Sequence, residues 1–412
     1  MKLRVLFPIF YFFLLWSRIY VISGAYNLPI DSSMIQIVYV GLIVLTELIY
    51  ERKLSISKNF SAMGSAIILL IGYWIIFAFV FVNQAIASYT QAIAQRQGLF
   101  LTVVIVTALF VRKHKLFSEL IQTSFWTVAF VLAVQFISNI TDVMAINIGS
   151  IFDVSTRSRV SFGLGHYNNL GMLCACEIVI GIWLIIIQKK KFKNAIYCVL
   201  FLSAIMLLGS ASRNAIFGLL VFILVEMYLK LDKYPLKNFY KFLVKVLIVS
   251  IVAVLILFGD DNISINNILL DSNRMTLFTV AIPTFMASNR TWIGLGLASG
   301  EIYGQNLTPY TTYWLDNGYI YTLITTGYIG AIIYFALIVL FIWKFVQLRR
   351  KNRIIGSLYL GTFYMYLFGA LFETTLFNGG VLQNYLLIPI FLIGTSKYFD
   401  CKEETKLKEY SL

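Results

Sequence analysis

Residues 163–193 read GLGHYNNLGMLCACEIVIGIWLIIIQKKKFK. From Leu164 to Gln188 the stretch holds one charged side chain, Glu177, and it then runs into Lys189, Lys190, Lys191 and Lys193. About 20 apolar residues suffice for an α-helix to cross the ~30 Å hydrocarbon core of a bilayer. Residues 164–188 are therefore a membrane span stopped by a basic loop. The same pattern recurs on both sides, giving candidate spans at 5–22, 33–50, 63–82, 97–111, 119–138, 164–188, 194–209, 213–229, 239–258, 318–346, 355–372 and 380–396. Of the 412 residues 59% are hydrophobic and 13% charged, where a soluble domain carries about a quarter charged. The predicted fold is all-α: a polytopic bundle of about 12 transmembrane helices forming one domain over 1–396, with a charged tail at 397–412.

The excess of 33 Lys+Arg over 19 Asp+Glu, a net +14, would suggest a nucleic-acid partner in a soluble chain. Its distribution excludes that reading. The clusters Arg52-Lys53, Arg112-Lys113-His114-Lys115, Lys189–Lys193 and Arg349–Arg353 fall in alternate loops, so that roughly 26 of the 33 cations lie on one side, as the positive-inside rule requires of cytoplasmic loops. Both termini are then cytoplasmic. Met1–Ile22 has no small-residue cleavage site and reads as a first span, not a removed signal peptide. The remaining side keeps Arg96, Arg157, Arg159, Arg213, Arg274 and Arg290 and no lysine. Arginine presents a planar fork of donors that matches phosphate and carboxylate oxygens, which points to an anionic ligand; mere tolerance of these cations is the alternative. Cys174, Cys176 and Cys198 fall in apolar stretches and Cys401 in the tail, a pattern that forms neither a disulfide framework nor a zinc site.

Two outer connections are long, 139–163 and 259–317, and long loops are usually functional. Within the second, Ser272–Ser288 reads as a helix with Met275, Phe278, Ile282 and Phe285 on one face, followed by an irregular segment marked by Gly294, Gly296, Gly300 and Gly304. No Walker loop, His-Glu-x-x-His or Gly-x-Ser-x-Gly occurs, and no cofactor or metal is implied. The outer acids Asp142, Asp153, Asp260, Asp261, Asp271, Glu301 and Glu373 either include a metal ligand or are ordinary loop acids, and the Asp260-Asp261 pair alone is too common in loops to support a metal site.

Four clusters carry candidate chemistry. His166, Asn169, Leu173 and Glu177 share a helical stripe, with Glu177 about 16 Å below His166; this is either a polar seam leading outward or helix-to-helix hydrogen bonding. The turn Gly209-Ser210-Ala211-Ser212-Arg213-Asn214 puts Arg213 in the first turn of a helix, where backbone amides already attract anions; snorkelling to lipid headgroups is the alternative. Asp316-Asn317-Gly318-Tyr319 opens the tenth span, followed by Gly327 and Gly330. Asp316 either accepts a proton from a sugar hydroxyl or caps the helix. Tyr303, Tyr310, Tyr313, Trp314 and Tyr319 either stack on sugars or form an interfacial belt.

Three elements, in order and on one side, resemble the O-antigen ligase and Wzy-type polysaccharide polymerase superfamily. Gly209–Arg213 is similar to its small-residue turn with an arginine. Asn273-Arg274, then Arg290 and Trp292-Ile293-Gly294-Leu295-Gly296, resembles its outer loop, and Asp316-Asn317 with Gly327 and Gly330 resembles the polar pair and Gly-x-x-Gly that follow. The resemblance covers about residues 160–345. It implies a multi-pass protein of the bacterial cytoplasmic membrane that needs no metal. The implied partners are undecaprenyl-pyrophosphate-linked oligosaccharide as donor and acceptor, membrane lipid, and a chain-length regulator and flippase of the same pathway. Arg213, Arg290 and Arg274 would bind pyrophosphate and Asp316 would be the catalytic base, with His166, Asn169, Glu177, Arg157, Arg159, Asn317 and Glu301 as secondary candidates. The ligases carry His-Asn where this chain has Asp316-Asn317, which favours a polymerase making O-antigen, capsule or exopolysaccharide. Ligation of glycan to another acceptor and lipid-linked sugar flipping without chemistry are the alternatives. Attack on an anomeric carbon bearing pyrophosphate needs one base and several cations, and the residues supply both.

Overall fold

A computed structural model describes residues 3–23, 32–51, 87–147, 159–187, 192–230, 281–296 and 317–396. The helices are α1 (Leu3–Ser23), α2 (Ser32–Glu51), α3 (Ala87–His114), α4 (Phe117–Ser138), a 3₁₀ turn (Ile140–Ala145), α5 (Tyr167–Ile187), α6 (Lys193–Ser210), α7 (Arg213–Lys230), α8 (Ile282–Met286), α9 (Gly318–Lys351), α10 (Arg353–Gly369) and α11 (Leu382–Gly394). Seven of them, α1 to α6 and α9, are long and apolar enough to cross a membrane. The chain is a polytopic helical membrane protein. The expected spans at 213–229, 355–372 and 380–396 correspond to α7, α10 and α11, whereas 63–82, 239–258 and the tail lie outside the described residues.

The helix ends fall where local chemistry stops them. The sixth expected span opens three residues late, at Tyr167, because Gly163 (φ 74°) and Gly165 (φ 71°) hold the preceding chain in the left-handed region. Asn352 separates α9 from α10 and accepts a bond from Ile355 N (3.1 Å). Helix α8 continues only to Met286, and the Ser288 hydroxyl donates to the Phe285 carbonyl (2.6 Å) beyond it. Of the amphipathic face expected over 272–288, Phe285 is buried with Ile282 beside it against Ile320, Tyr321 and Ile324 of α9; Met275 and Phe278 lie outside the described residues.

Small residues let the helices approach. A Cβ on Gly171 of α5 would lie 2.5 Å from Ser212 Cβ, and one on Gly181 would lie 2.5 Å from Leu200 of α6. Close backbone approach gains dispersion contacts that lipid tails cannot match, which is how membrane helices choose partners. The outer surface is apolar instead, with Phe201 70% and Phe335 68% exposed.

Charge segregates along the bundle. At one end Glu47 accepts from Lys113 and contacts His114 (2.7 Å each), and Arg4 pairs with Glu119 (3.3 Å). The Arg349 guanidinium donates to the Leu229 carbonyl there (3.0 Å). The opposite end carries the α6–α7 turn, the start of α5, the start of α9 and the 370–381 loop.

One expected helix departs from regularity. Gly327 has φ 66° and ψ −168°, which breaks α9. An unbroken helix over 318–351 would be ~51 Å long, and the part after the break, ~36 Å, already spans a bilayer.

Candidate functional site

The α6–α7 turn is built around two serines. Ala211 takes φ 45°, the Ser210 hydroxyl donates to the Leu207 carbonyl (2.7 Å) and its oxygen accepts from Ser212 N (3.2 Å). This turns the chain within three residues and sets half-buried Arg213 in the first turn of α7. The segment before α5 lies on the same turn, since Val160 N donates to the Gly209 carbonyl (3.0 Å). Arg159 is thereby brought to this end, its guanidinium 4.2 Å from the Tyr167 ring centre. Asn214 reaches across to the end of α10, its Nδ2 donating to the Gly369 carbonyl (3.5 Å).

Asn317 meets the same end of α10 from the other side. Its side chain caps α9, accepting from Tyr319 N and Ile320 N (3.0 Å each), while its Nδ2 donates to the Leu371 carbonyl (3.0 Å). The cap expected as the alternative role of Asp316 is thus supplied by Asn317. Tyr319 donates to the Leu367 carbonyl (2.9 Å), so it braces α9 against α10. Asn214, the neighbour of Arg213 in the chain, and Asn317 are therefore linked through one short stretch, 367–371.

Arg290 belongs to a second cluster, at the break of α9. Its carbonyl accepts from Gly294 N (2.7 Å), closing a turn in which Gly294 (φ 84°) and Gly296 (φ 103°) are left-handed. Leu295 N and Gly296 N donate to the Ile324 and Thr325 carbonyls (2.8 and 3.1 Å), and Tyr328 N and Ile329 N donate to the Thr291 and Trp292 carbonyls (2.9 and 3.1 Å). The Gly-x-Gly turn satisfies the groups that the helix break leaves open.

The predicted seam from His166 to Glu177 divides in two. His166 and Asn169 are exposed at the site end, whereas Glu177 is fully buried and its oxygens have no hydrogen-bond partner among the described residues. Asn168 N donates to His166 Nδ1 (3.2 Å), which places the proton of the neutral ring on Nε2. Partial desolvation of the ring, then the charge of Arg159, lowers the His166 pKa from its ordinary 6.5. Protonation is disfavoured in the folded state, so the stability this neutral ring contributes is present above pH 6.5 and is lost as pH falls through the lowered value. With two histidines in the chain, an NMR titration of labelled histidine should show His166 neutral at pH 7, and Arg159→Gln should raise its midpoint. Asp316, Arg274, Arg157 and Glu301 lie outside the described residues, as do Tyr303, Tyr310, Tyr313 and Trp314.

Residues 198–335 match the O-antigen ligase family. The matched stretch opens in α6, takes in the Gly209–Arg213 turn, Arg290 and the Gly294 turn, and closes in α9 beyond Gly327. Over that stretch the chain is similar to a family whose members, O-antigen ligases and polymerases, are sugar-transferring enzymes. The resemblance drawn from the motifs is borne out. No curated protein matches the chain.

Outside the matched stretch lies a loop that sequence reasoning touched only through Glu373, one of the outer acids. Asn168 Nδ2 donates to Glu373 Oε1 (2.8 Å), and a Cβ on Gly318 would lie 3.1 Å from the Glu373 carbonyl. Glu373 thus stands between the start of α5 and the start of α9. Its only sequence signal was a lone acid among small and polar residues after α10.

Proposed function

We propose that this chain polymerises undecaprenyl-pyrophosphate-linked oligosaccharide repeat units into a cell-surface polysaccharide, on the outer side of the bacterial cytoplasmic membrane. The observation that carries the reading is Arg213, set by a serine turn at a helix N-terminus, at the end of the bundle opposite the basic loops, where its neighbour Asn214 and the α9 cap Asn317 both bond the end of α10. Helix amides and a guanidinium together suit a pyrophosphate. Arg213, Arg290 and Arg274 hold that group, and Asp316 takes the proton of the acceptor hydroxyl as its oxygen attacks the anomeric carbon. The bond from that carbon to the pyrophosphate oxygen breaks, and lipid pyrophosphate leaves as a stable anion. Arg157, Arg159, His166, Asn169, Asn317, Glu177 and Glu301 are secondary positions, and the transfer proceeds without a metal or cofactor. A flippase and a chain-length regulator of the same pathway are the implied partners.

Purified protein given a lipid-linked repeat unit should yield a ladder of products. A single addition to a different acceptor would favour ligation, the reading that the family's description as O-antigen ligase supports. No product at all would overturn glycan transfer. Arg213→Lys should keep the positive charge but lose the fork, and should lower ladder formation at least tenfold at unchanged membrane abundance.

Orientation is tested separately. In a protein stripped of Cys198 and Cys401, a cysteine at Arg350 should be shielded from an impermeant thiol reagent in intact cells, and one at Asn169 should label. The reverse result would place the site in the cytoplasm and exclude this function.

A further inference from the structure

A cavity of about 60 Å³ opens at the site end between α1, the start of α5 and the start of α11. Its apolar walls include Ile19, Leu170 and Leu173, and its polar lining includes Asn168, Glu373, Thr375 and Gln383. Gln383 is only 3% exposed, yet neither its amide oxygen nor its amide nitrogen has a hydrogen-bond partner among the described residues, and the Thr375 hydroxyl is equally unmatched. Buried polar groups are almost always paired. An amide with both donor and acceptor vacant, on the wall of a cavity with room for several water-sized groups, is complementary to something that offers both in turn.

The loop that carries Glu373 and Thr375, and leads into Gln383 of α11, is held in place on every side. Gln97 grips it twice, donating to the Phe377 carbonyl (2.6 Å) and accepting from Gly379 N (2.8 Å). Arg18 donates to the Gly379 carbonyl (3.2 Å), and Asn384 donates to the Thr375 and Asn378 carbonyls (2.6 and 2.7 Å). Tyr366 donates to the Thr375 carbonyl (3.1 Å) and its oxygen accepts from Phe377 N (2.6 Å). A recognition loop that is fixed in advance loses little freedom when a ligand arrives.

We propose that this cavity is a sugar subsite: one edge of a sugar of the glycan enters it, a sugar hydroxyl donates to Glu373, and Gln383 and Thr375 bond the neighbouring substituents. The chemistry of the lining selects this ligand. A carboxylate repels a phosphate, and a buried amide is wasted on a lipid tail, whereas a sugar presents hydroxyls that donate and accept together with apolar C–H faces for Leu170 and Leu173. The subsite rests on the glycan-transfer reading above but lies outside the family-matched stretch, so it would adapt the enzyme to its own glycan.

The test uses the purified full chain in detergent and a panel of free hexoses, N-acetylhexosamines and hexuronic acids, read by saturation transfer from protein to sugar protons. At least one sugar should give a signal. Gln383→Leu, nearly isosteric, should weaken it at least tenfold without lowering the melting midpoint, because an unmatched buried amide has been removed. Glu373→Gln keeps an oxygen for Asn168 and should also weaken it at least tenfold. Arg213→Gln should leave free-sugar binding intact while lowering product formation. Absence of signal across the panel, or equal signals from wild type, Gln383→Leu and Glu373→Gln, would overturn the subsite. A wild type that binds sugar through Gln383 but makes no product would overturn the transfer reading and leave the subsite standing.

Discussion

Asp316→Asn should reduce product formation by about 10²–10⁴, the usual loss when a positioned base is removed, while membrane abundance and melting midpoint stay near wild type. The second half of that expectation follows from the position next door. Asn317 already caps α9, with its oxygen on Tyr319 N and Ile320 N (3.0 Å each), so the asparagine variant of Asp316 takes no cap away. Asn317→Ala is the informative contrast: it removes the cap and the bond to the Leu371 carbonyl, and loss of a cap alone costs about 1 kcal/mol. The two substitutions should therefore separate, one in rate and the other in stability. A well-expressed Asp316→Asn protein of near-normal turnover would remove Asp316 from the chemistry and direct the search to His166, Glu301 or Glu373.

The parts of the fold legible in the sequence are those fixed by composition over a full span. Apolar runs closed by Lys and Arg mark α4, α5, α6 and α7 to within a few residues, because crossing a bilayer requires a run of set length and the basic loop marks its end. The turn at Gly209–Arg213 was legible for a related reason: small residues followed by an arginine are local chemistry. Features that depend on residues distant in sequence were not. Gly327 and Gly330 were visible as a motif, but the break at Gly327 exists because the turn at Arg290–Gly296 satisfies its backbone, and no local pattern encodes that pairing. The same holds for Glu373. Only folding brings Asn168 to its carboxylate, from 205 positions away, and Gln97 to the loop behind it. The stripe from His166 to Glu177 is cut short at its outer end, since Gly163 and Gly165 delay the helix and leave His166 at its cap, where its carbonyl accepts from Leu170 N.

Gly327→Ala should be among the most damaging single substitutions in the chain, lowering both the melting midpoint and product formation. With φ 66° and ψ −168° the residue lies where essentially only glycine is stable, and a side chain there costs about 1–3 kcal/mol. Steric overlap adds to this: a Cβ would lie 2.5 Å from Gly294 N and from the Trp292 carbonyl oxygen, both backbone atoms with no rotamer to yield. Gly294→Ala meets the reciprocal obstacle, since its Cβ would overlap the Thr325 carbonyl, and its φ of 84° adds strain of its own. Either change pushes the Arg290–Gly296 turn off α9 and opens the four hydrogen bonds that close the break. Unpaired backbone groups are costly wherever water is excluded, so the helix cannot simply tolerate the gap. Arg290, whose carbonyl anchors that turn through Gly294 N, moves with it, and the cation assigned to the pyrophosphate is displaced. Activity should thus fall more than stability accounts for when each variant is assayed well below its own melting midpoint. Gly41→Ala is the control, because a Cβ there meets nothing within 4 Å and alanine is the better helix former; its midpoint should hold or rise. A Gly327→Ala protein that melts and turns over like wild type would show that α9 can run straight through the position and that the sutured break has no part in holding Arg290.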